Sequence, residues 1–346
     1  MIIKSIAASL PERRVSNEEI IEIIRQHSTG HYDGDLDRRL KMVLNLLKRT
    51  GLKERRWCDR HESPIDHVAK AVRKVLEDSY LRRNHIELLI YVGIGRGFIE
   101  PGNSHVIANT LGFENAQCFD VVDACMSWVR ALQLVDSLFK SGSYKNALVI
   151  NAEFNMHENG PLYPDNFVLR NAEQLAYTFP TFTIGEAATA TLLTPQEPDN
   201  FEFHFTSRPD LSDLCTIPMA GYKNFCHPSE KMGKNDILRF TSFGQELHKE
   251  GFNEIIEVFK KLTKGRVIDK VFVHASSKKE WDRFGNELGL TDKIHQIYPE
   301  TGNLVSASVP TSIYNAKINN LISRGDELAL WVGSAGMAFN ATNFKY

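Results

Sequence analysis

Three residues could act together chemically: Cys125 in CFDVVDACMSWVRAL and His274 in KVFVH, each after an apolar run, and Asn303 in GNLVSASVP, in a turn before one. A cysteine beside an apolar strand is ordinarily a core residue, because a free thiol behaves as a small hydrophobe. The flanks of Cys125 change that expectation. Phe119, Val121 and Val122 read as a buried strand, whereas Trp128, Val129, Leu132, Val135, Leu138 and Phe139 recur at helical spacing up to Ser141-Gly142. Cys125 therefore stands at a strand-to-helix junction. There the unpaired N–H groups and the positive dipole end favour thiolate over thiol, and the same N–H groups can hold a developing oxyanion. An ionised Cys125 is the expectation. His274 ends its strand much as Cys125 follows FDVVDA, so the two meet on one side of the fold if the chain is built from equivalent halves. Asn303 after Gly302 reads as a turn residue before a helix, and Asn is ordinary in that place.

The elements that must position these residues form an α/β pattern. Strands are predicted at Ile2–Ala8, Leu88–Gly93, Phe119–Asp123, Ala147–Asn151, Ala188–Leu193, Val271–His274 and Leu328–Gly333, with helices between most of them. LLIYVGIGRG echoes KVFVHASSKK, and ALVINAEF echoes ELALWVGSAG. The expectation is a duplicated unit, residues 1–197 and 198–346, joined near TPQEPDN at 194–200 where periodicity breaks. Residues 154–182 form a long excursion rich in proline, asparagine and aromatic residues, expected to act as a lid, a binding loop or a subunit contact.

Composition narrows the function classes. With 346 residues, 41 Lys+Arg against 43 Asp+Glu and a formal charge of -2, the chain can bury a large core and has no overall bias toward nucleic acid or membranes. Any anion site must be local. Five cysteines at 58, 118, 125, 215 and 226 form no CxxC pair and no zinc-type Cys/His spacing, so no metal is expected and the thiols are read as free. The start MIIKSIAASLPERRV lacks a signal-peptide core, and no window approaches the roughly 18 apolar residues of a membrane span. The cytoplasm is the expected address. YVGIGRG follows a strand, but its glycines at 93, 95 and 97 fall as G-x-G-x-G, which excludes the dinucleotide-binding spacing.

Taken together, DVVDACMSW, VFVHAS, TGNLVSASVP and GDELALWVGSAGMAFNA resemble the ketoacyl-acyl-carrier-protein synthase III family of the thiolase superfamily, in the same order and at comparable separations. SLPERRVSNEEI, KRTGLKERR and GEAATATLL extend the resemblance over nearly the whole chain. It implies a five-layered αβαβα thiolase fold, normally a homodimer, with Cys125, His274 and Asn303 as the catalytic triad. The oxyanion hole would be the backbone N–H of Cys125 and that of Ala335 in the Gly333–Gly336 turn. No tightly bound cofactor is implied. The substrates would be acyl thioesters of coenzyme A or of acyl-carrier-protein phosphopantetheine, and the reaction a decarboxylative condensation with a malonyl-type thioester.

Several positions depart from the family pattern. Arg49 matches a position that meets the nucleotide end of coenzyme A, while Asn45 stands where many members place tryptophan. Ser277 replaces the asparagine of the usual His-x-x-Asn string, and Ala335 occupies a normally glycine position. Lys279 and Arg283, one helical turn apart, match the region that receives the acidic carrier protein; a solvated helix face is the plain alternative. These differences point to a specialised synthase of lipid or secondary metabolism. The alternatives are an acyltransferase of the same fold acting on an alcohol or amine, and a non-catalytic partner subunit.

Overall fold

Alternation along the strands sets the layering. A computed structural model describes residues 1–158, 160–198 and 200–346. Two five-stranded sheets repeat one strand order. The first contains β1 (Ile2–Ser9), β4 (Leu88–Val92), β5 (Gln117–Val121), β6 (Ala147–Glu153) and β7 (Ala187–Thr194), ordered β1-β7-β6-β4-β5. The second contains β8 (Glu202–Ser207), β11 (Lys270–Val273), β12 (Ile294–His295), β13 (Glu327–Ser334) and β14 (Ala338–Lys345), ordered β8-β14-β13-β11-β12. Corresponding pairs run the same way: β4 with β6 and β11 with β13 are parallel, and β6 with β7 and β13 with β14 are antiparallel. Two short ladders join β2 (Arg13–Ser16) to β3 (Glu54–Trp57) and β9 (Cys215–Thr216) to β10 (Thr241–Ser242).

The helices are α1 (Asn17–Ser28), α2 (Leu36–Arg49), α3 (Pro64–Ser79), α4 (Asn103–Leu111), α5 (Ser127–Lys140), α6 (Leu175–Thr178), α7 (Gly244–Glu250), α8 (Phe252–Thr263), α9 (Lys278–Leu288), α10 (Tyr298–Thr301) and α11 (Ser308–Ile318). Leu88, Ile90 and Val92 of β4 and Leu328, Leu330 and Val332 of β13 share one cluster with Leu132 and Val135 of α5 and Ile313 of α11. The intervening residues point the other way, as a period of two requires. Leu89 and Tyr91 pack with Val72 and Val75 of α3, and Ala329 and Trp331 pack with Phe259 of α8 and Phe284 of α9. Helices thus cover both outer faces and fill the space between the sheets, which is the five-layered αβαβα thiolase-like fold. Among the described residues no helix is long and apolar enough to cross a membrane.

Two differences from the sequence reading have physical causes. β14 was not expected, because its buried positions include Asn340, Thr342 and Asn343, which break any apolar run. Their polar groups are satisfied internally: Thr342 Oγ1 donates to Asn340 Oδ1 at 3.0 Å, and Asn343 Nδ2 donates to the Leu328 carbonyl at 3.1 Å. β5, read as buried, is the edge of its sheet, with Phe119 36% and Val122 59% exposed. The 154–182 excursion, expected as a lid, a binding loop or a subunit contact, is anchored in the core. Phe167, Leu169, Leu175 and Phe182 are buried against Ile24 of α1 and Val43 and Leu47 of α2. Asn159 within that excursion and Asp199 within the expected joint lie outside the described residues.

Candidate active site

The chain leaves β5 and enters α5 through one 3-10 turn, Ala124–Met126, that carries Cys125. Ala124 has φ 46°, a left-handed conformation that costs a non-glycine residue about 1 kcal/mol. Hydrogen bonds hold it there. Ser127 Oγ accepts from the Asp123 N–H at 2.8 Å and donates to the Ala124 carbonyl at 2.7 Å. From the other sheet, Ser334 Oγ donates to the Asp123 carbonyl and accepts from the Met126 N–H, both at 3.2 Å. The same device recurs at α11, which opens through the 3-10 turn Val305–Ala307 with Val305 at φ 51°. Ser306 therefore occupies in the second sheet's unit the position Cys125 holds in the first.

Val305 is the common neighbour of the three candidate residues. Its N–H donates to Asn303 Oδ1 at 2.9 Å, its backbone is hydrogen-bonded to the His274 ring, and its side chain packs beside Cys125, Ile184 and Leu162. The Asn303 backbone is fixed by its N–H to the Thr183 carbonyl at 2.8 Å and by the Gly185 N–H to its own carbonyl at 2.9 Å. Glycine makes this approach feasible, because a Cβ on Gly185 would stand 2.0 Å from the Thr301 carbonyl oxygen. With Oδ1 occupied as an acceptor, the Asn303 Nδ2 hydrogens are the groups left to donate.

Burial governs the electrostatics. The buried His274 imidazole is pushed down to about 4, first by desolvation and then by His248, with the Val305 hydrogen bond opposing, so the ring is neutral near pH 7. Its Nδ1 is buried and has no hydrogen-bond partner among the described residues. Desolvation likewise pushes the Cys125 thiol well above its ordinary value, and Cys215 and Glu153 add to the rise. The Cys125 N–H and the Ala335 N–H act in the other direction at the sulfur, the two groups expected to form an oxyanion hole. Ala335 is not strained in its turn, since the left-handed conformations there fall on Gly336 and Met337.

The expected resting thiolate is therefore corrected. A single 3-10 turn offers too few N–H groups to outweigh desolvation of a buried sulfur. Near neutral pH both groups rest uncharged, thiol beside imidazole. With His274 held at about 4 and the Cys125 thiol raised, that pair persists across the neutral range, so acyl transfer to Cys125 should vary less than about threefold between pH 6 and 8. A preformed thiolate titrating in that range would instead give a rise approaching tenfold per pH unit. Stopped-flow measurement of adduct formation distinguishes the two profiles.

Sequence reasoning missed the polar network behind the cysteine. Glu153, at the end of β6, is fully buried and pushed up by desolvation, while Ser306, Gly95 and Asn155 pull it down by hydrogen bonding. The Ser306 hydroxyl donates to Glu153 Oε1, and the Gly95 N–H donates to Oε2 at 2.9 Å. Asn151 Nδ2 donates to Ser306 Oγ at 2.9 Å. The G-x-G-x-G string now has a structural reason: Gly93 has φ 113°, and a Cβ there would lie 2.4 Å from Glu153 Oε1. A carboxyl residue closing the apolar run ALVINAE was the signal available in the sequence.

The three residues expected to meet the carrier come together. Arg49, Lys279 and Arg283 line one open basin with Gly51, Lys278, Asp282 and Glu287. The Lys278 N–H donates to the Thr50 carbonyl at 2.9 Å, docking the start of α9 on the end of α2. Ser277, the departure from the usual asparagine, is the N-cap of α9 and accepts from the Glu280 N–H at 3.4 Å. Lys278 pairs with Asp282 at 2.5 Å and Arg283 with Glu280 at 3.3 Å.

Two family models match segments that contain Cys125, His274 and Asn303. The family model described as 3-oxoacyl-[acyl-carrier-protein] synthase III matches residues 119–157, a span that includes Cys125 and Glu153. The model for the C terminal of the same synthase matches residues 261–346, which include His274, Asn303 and Ala335. Both segments therefore resemble the 3-oxoacyl-[acyl-carrier-protein] synthase III family. Among the relatives of the chain is the beta-ketoacyl-[acyl-carrier-protein] synthase III of Aliarcobacter butzleri, 24% identical over 99% of this chain and 97% of the relative. OleA from Xanthomonas campestris has the same fold, with a TM-score of 0.82 at 21% identity over 99% of this chain and 97% of that one. A further OleA structure, with bound lauric acid and lauroyl-CoA, gives a TM-score of 0.81 at 21% identity over 99% of this chain and 98% of that one.

Proposed function

We propose that the protein is a ketoacyl-synthase III-like condensing enzyme in which Cys125 is the nucleophile and His274 and Asn303 serve the second half-reaction. The observation that carries this reading is the arrangement around Val305, which gathers an attacking sulfur, a neutral imidazole and an oriented amide, with the Ala335 N–H at the sulfur. In the first half-reaction the Cys125 sulfur attacks the carbonyl of an acyl thioester and its proton passes to His274. The tetrahedral oxyanion is held by the Cys125 and Ala335 N–H groups. The carbon–sulfur bond to the carrier breaks, the carrier thiolate takes the proton, and the acyl group stays on Cys125.

In the second half-reaction a malonyl-type thioester loses carbon dioxide. The electron pair of the broken carbon–carbon bond moves toward the thioester oxygen, where the Asn303 amide and neutral His274 donate N–H groups. The carbanion then attacks the Cys125 acyl carbonyl, forming a 3-ketoacyl thioester and expelling the Cys125 thiolate, which regains a proton from solvent. Asn303 has no basic lone pair, which favours decarboxylation over base-assisted transfer to an alcohol or amine.

The acyl donor arrives on coenzyme A or on carrier-protein phosphopantetheine, and the basin of Arg49, Lys279 and Arg283 is its docking place. The departures at Asn45, Ser277 and Ala335 support a specialised synthase. The division at 197/198 assigns the nucleophile to the first half and the two donors to the second. A homodimer is supported by the open edge of β5 and by exposed Phe98 and Ile99; sedimentation should give twice the chain mass.

Intact-protein mass measurement after incubation with a panel of acyl-coenzyme A and acyl-carrier-protein donors tests the reading directly. One acyl adduct, mapped to Cys125 and discharged with carbon dioxide release on adding a malonyl thioester, is the expected result. An adduct that discharges to an alcohol or amine without carbon dioxide would redirect it to acyl transfer, and no adduct with any donor would sink it. In the same system, Lys279→Glu with Arg283→Glu should lower kcat/KM for carrier-protein donors about tenfold at low salt, with the difference shrinking at about 0.5 M salt. Salt-dependent kinetics measure this.

A further inference from the structure

Cys58, Glu62 and His67 each offer one ligand atom, and the three atoms lie within 4.8 Å of one another. They sit where the chain passes from β3 into α3. Ser63 caps α3, accepting from the Asp66 N–H at 3.3 Å, and Pro64 opens it. This start turns His67 back over Cys58 and Glu62, although the spacing C-x-x-x-E-x-x-x-x-H is not one that sequence reading associates with zinc.

His67 is 1% exposed and stacks on Phe154. Its Nδ1 is bonded to Ser9 Oγ at 2.8 Å, which fixes the ring orientation and leaves Nε2 facing the cluster. Nε2 lies 3.2 Å from Glu62 Oε1, yet it is buried and makes no hydrogen bond of acceptable geometry. The contact is close enough for a hydrogen bond and wrongly aligned for one. Two ligands bound at 2.0–2.1 Å to one tetrahedral ion stand about 3.3 Å apart and are not aligned with each other. The observed pair fits that relation.

The surroundings fit a cation. Glu62 is held in place by the Asp59 N–H on Oε2 at 3.0 Å and the Glu12 N–H on Oε1 at 3.4 Å. The Cys58 N–H donates to Glu186 Oε2 at 2.6 Å. Glu186, Glu62, Asp59 and Asp66 all bear on the Cys58 sulfur, while Lys70 is the positive group bearing on His67. Among the groups acting on these two residues, carboxylates outnumber the one lysine, and a cation would offset them.

We propose that Cys58, Glu62 and His67 bind one divalent transition-metal ion of the zinc class, with water as the fourth ligand. A thiolate, an imidazole and a carboxylate form a borderline-soft set that suits zinc over magnesium or calcium. Ser9 on Nδ1 is the supporting hydrogen bond that metal-bound histidines require. On binding, a sulfur–metal bond forms and the Cys58 proton passes to solvent; nothing is oxidised or reduced. The ion ties the β3–α3 connection to α3 and, through Ser9, to β1. Its role is structural.

The test uses the full chain in a Cys125→Ala background, so that the candidate active-site thiol contributes no ligand. After chelator treatment and dialysis against Zn²⁺, the protein should retain one zinc per chain and its melting temperature should rise. Loading with Co²⁺ should give a near-ultraviolet sulfur-to-cobalt charge-transfer band. Cys58→Ser should lose that band, and Glu62→Gln should weaken zinc retention at least about tenfold. Should Cys58→Ser fail to fold, the cobalt spectrum of the background protein decides, read with Glu62→Gln. No retained zinc, retention unchanged in Cys58→Ser or Glu62→Gln, or a cobalt spectrum without the sulfur band would each overturn the proposal.

Discussion

Cys125→Ala is expected to abolish the acyl adduct and lower the condensation rate on the order of 10⁴-fold or more, the scale of loss when a covalent nucleophile is removed. The fold should survive. The turn that carries Cys125 is held by Ser127 and Ser334 rather than by the thiol. The melting temperature should therefore move little. Cys125→Ser is the sharper comparison, because it keeps a hydroxyl beside the Ala335 N–H. An alcohol is far less acidic than a thiol, and the imidazole held at about 4 is a weak base. The serine variant should consequently acylate very slowly while binding the donor normally. The measurement is intact mass with peptide mapping, beside steady-state rates. Cys215 bears on the Cys125 sulfur, so mapping must separate the two. An adduct persisting on Cys215 in the alanine variant would transfer the nucleophile's role to that thiol.

The sequence showed where each candidate residue would sit but not its electrical state. Helical spacing from Trp128 to Phe139 located α5, and the apolar run before His274 located β11, because both elements bury a regular face. Burial of the Cys125 sulfur depends on Ile184, Leu162 and Val305, which come from distant parts of the chain. Nothing near position 125 in the sequence carries that information. The thiolate expectation failed for this reason, although its geometric half, the Cys125 and Ala335 N–H groups at the sulfur, is present.

β14 escaped for the opposite reason. Its buried Asn340, Thr342 and Asn343 are offset by hydrogen bonds within β14 and to the neighbouring strands β13 and β8, so a hydropathy pattern registers polarity without the partners. The Glu153 network and the Cys58–Glu62–His67 cluster share that character: each is assembled from residues whose relation exists only after the sheets and α3 are in place. By contrast, the duplication was visible as paired echoes, because equivalent strands need equivalent apolar runs wherever they sit.

Asn303→Asp should separate the two half-reactions. Acylation of Cys125 should proceed within about threefold of the unaltered rate, since the oxyanion donors of that step are backbone N–H groups. Condensation should fall about 10²- to 10³-fold, the loss measured when one such donor is removed, about 3 kcal/mol. The substitution is nearly isosteric: one carboxylate oxygen still accepts from the Val305 N–H, as Asn303 Oδ1 now does at 2.9 Å. The other oxygen replaces the amide donor with a negative charge facing the thioester oxygen on which charge develops. His274→Ala must behave differently, because the imidazole also receives the Cys125 proton, and both half-reactions should slow. Lowering the pH gives a further discriminant: once protonated, the introduced carboxyl regains an O–H donor, so condensation by the Asn303→Asp variant should partly recover as pH falls, while the parent enzyme stays level. Labelled carbon dioxide release from a malonyl thioester, scored against adduct formation in the same samples, reads the ratio directly. Equal loss of both half-reactions, or condensation undiminished, would mean that the Asn303 amide holds Val305 in place without touching the reacting thioester.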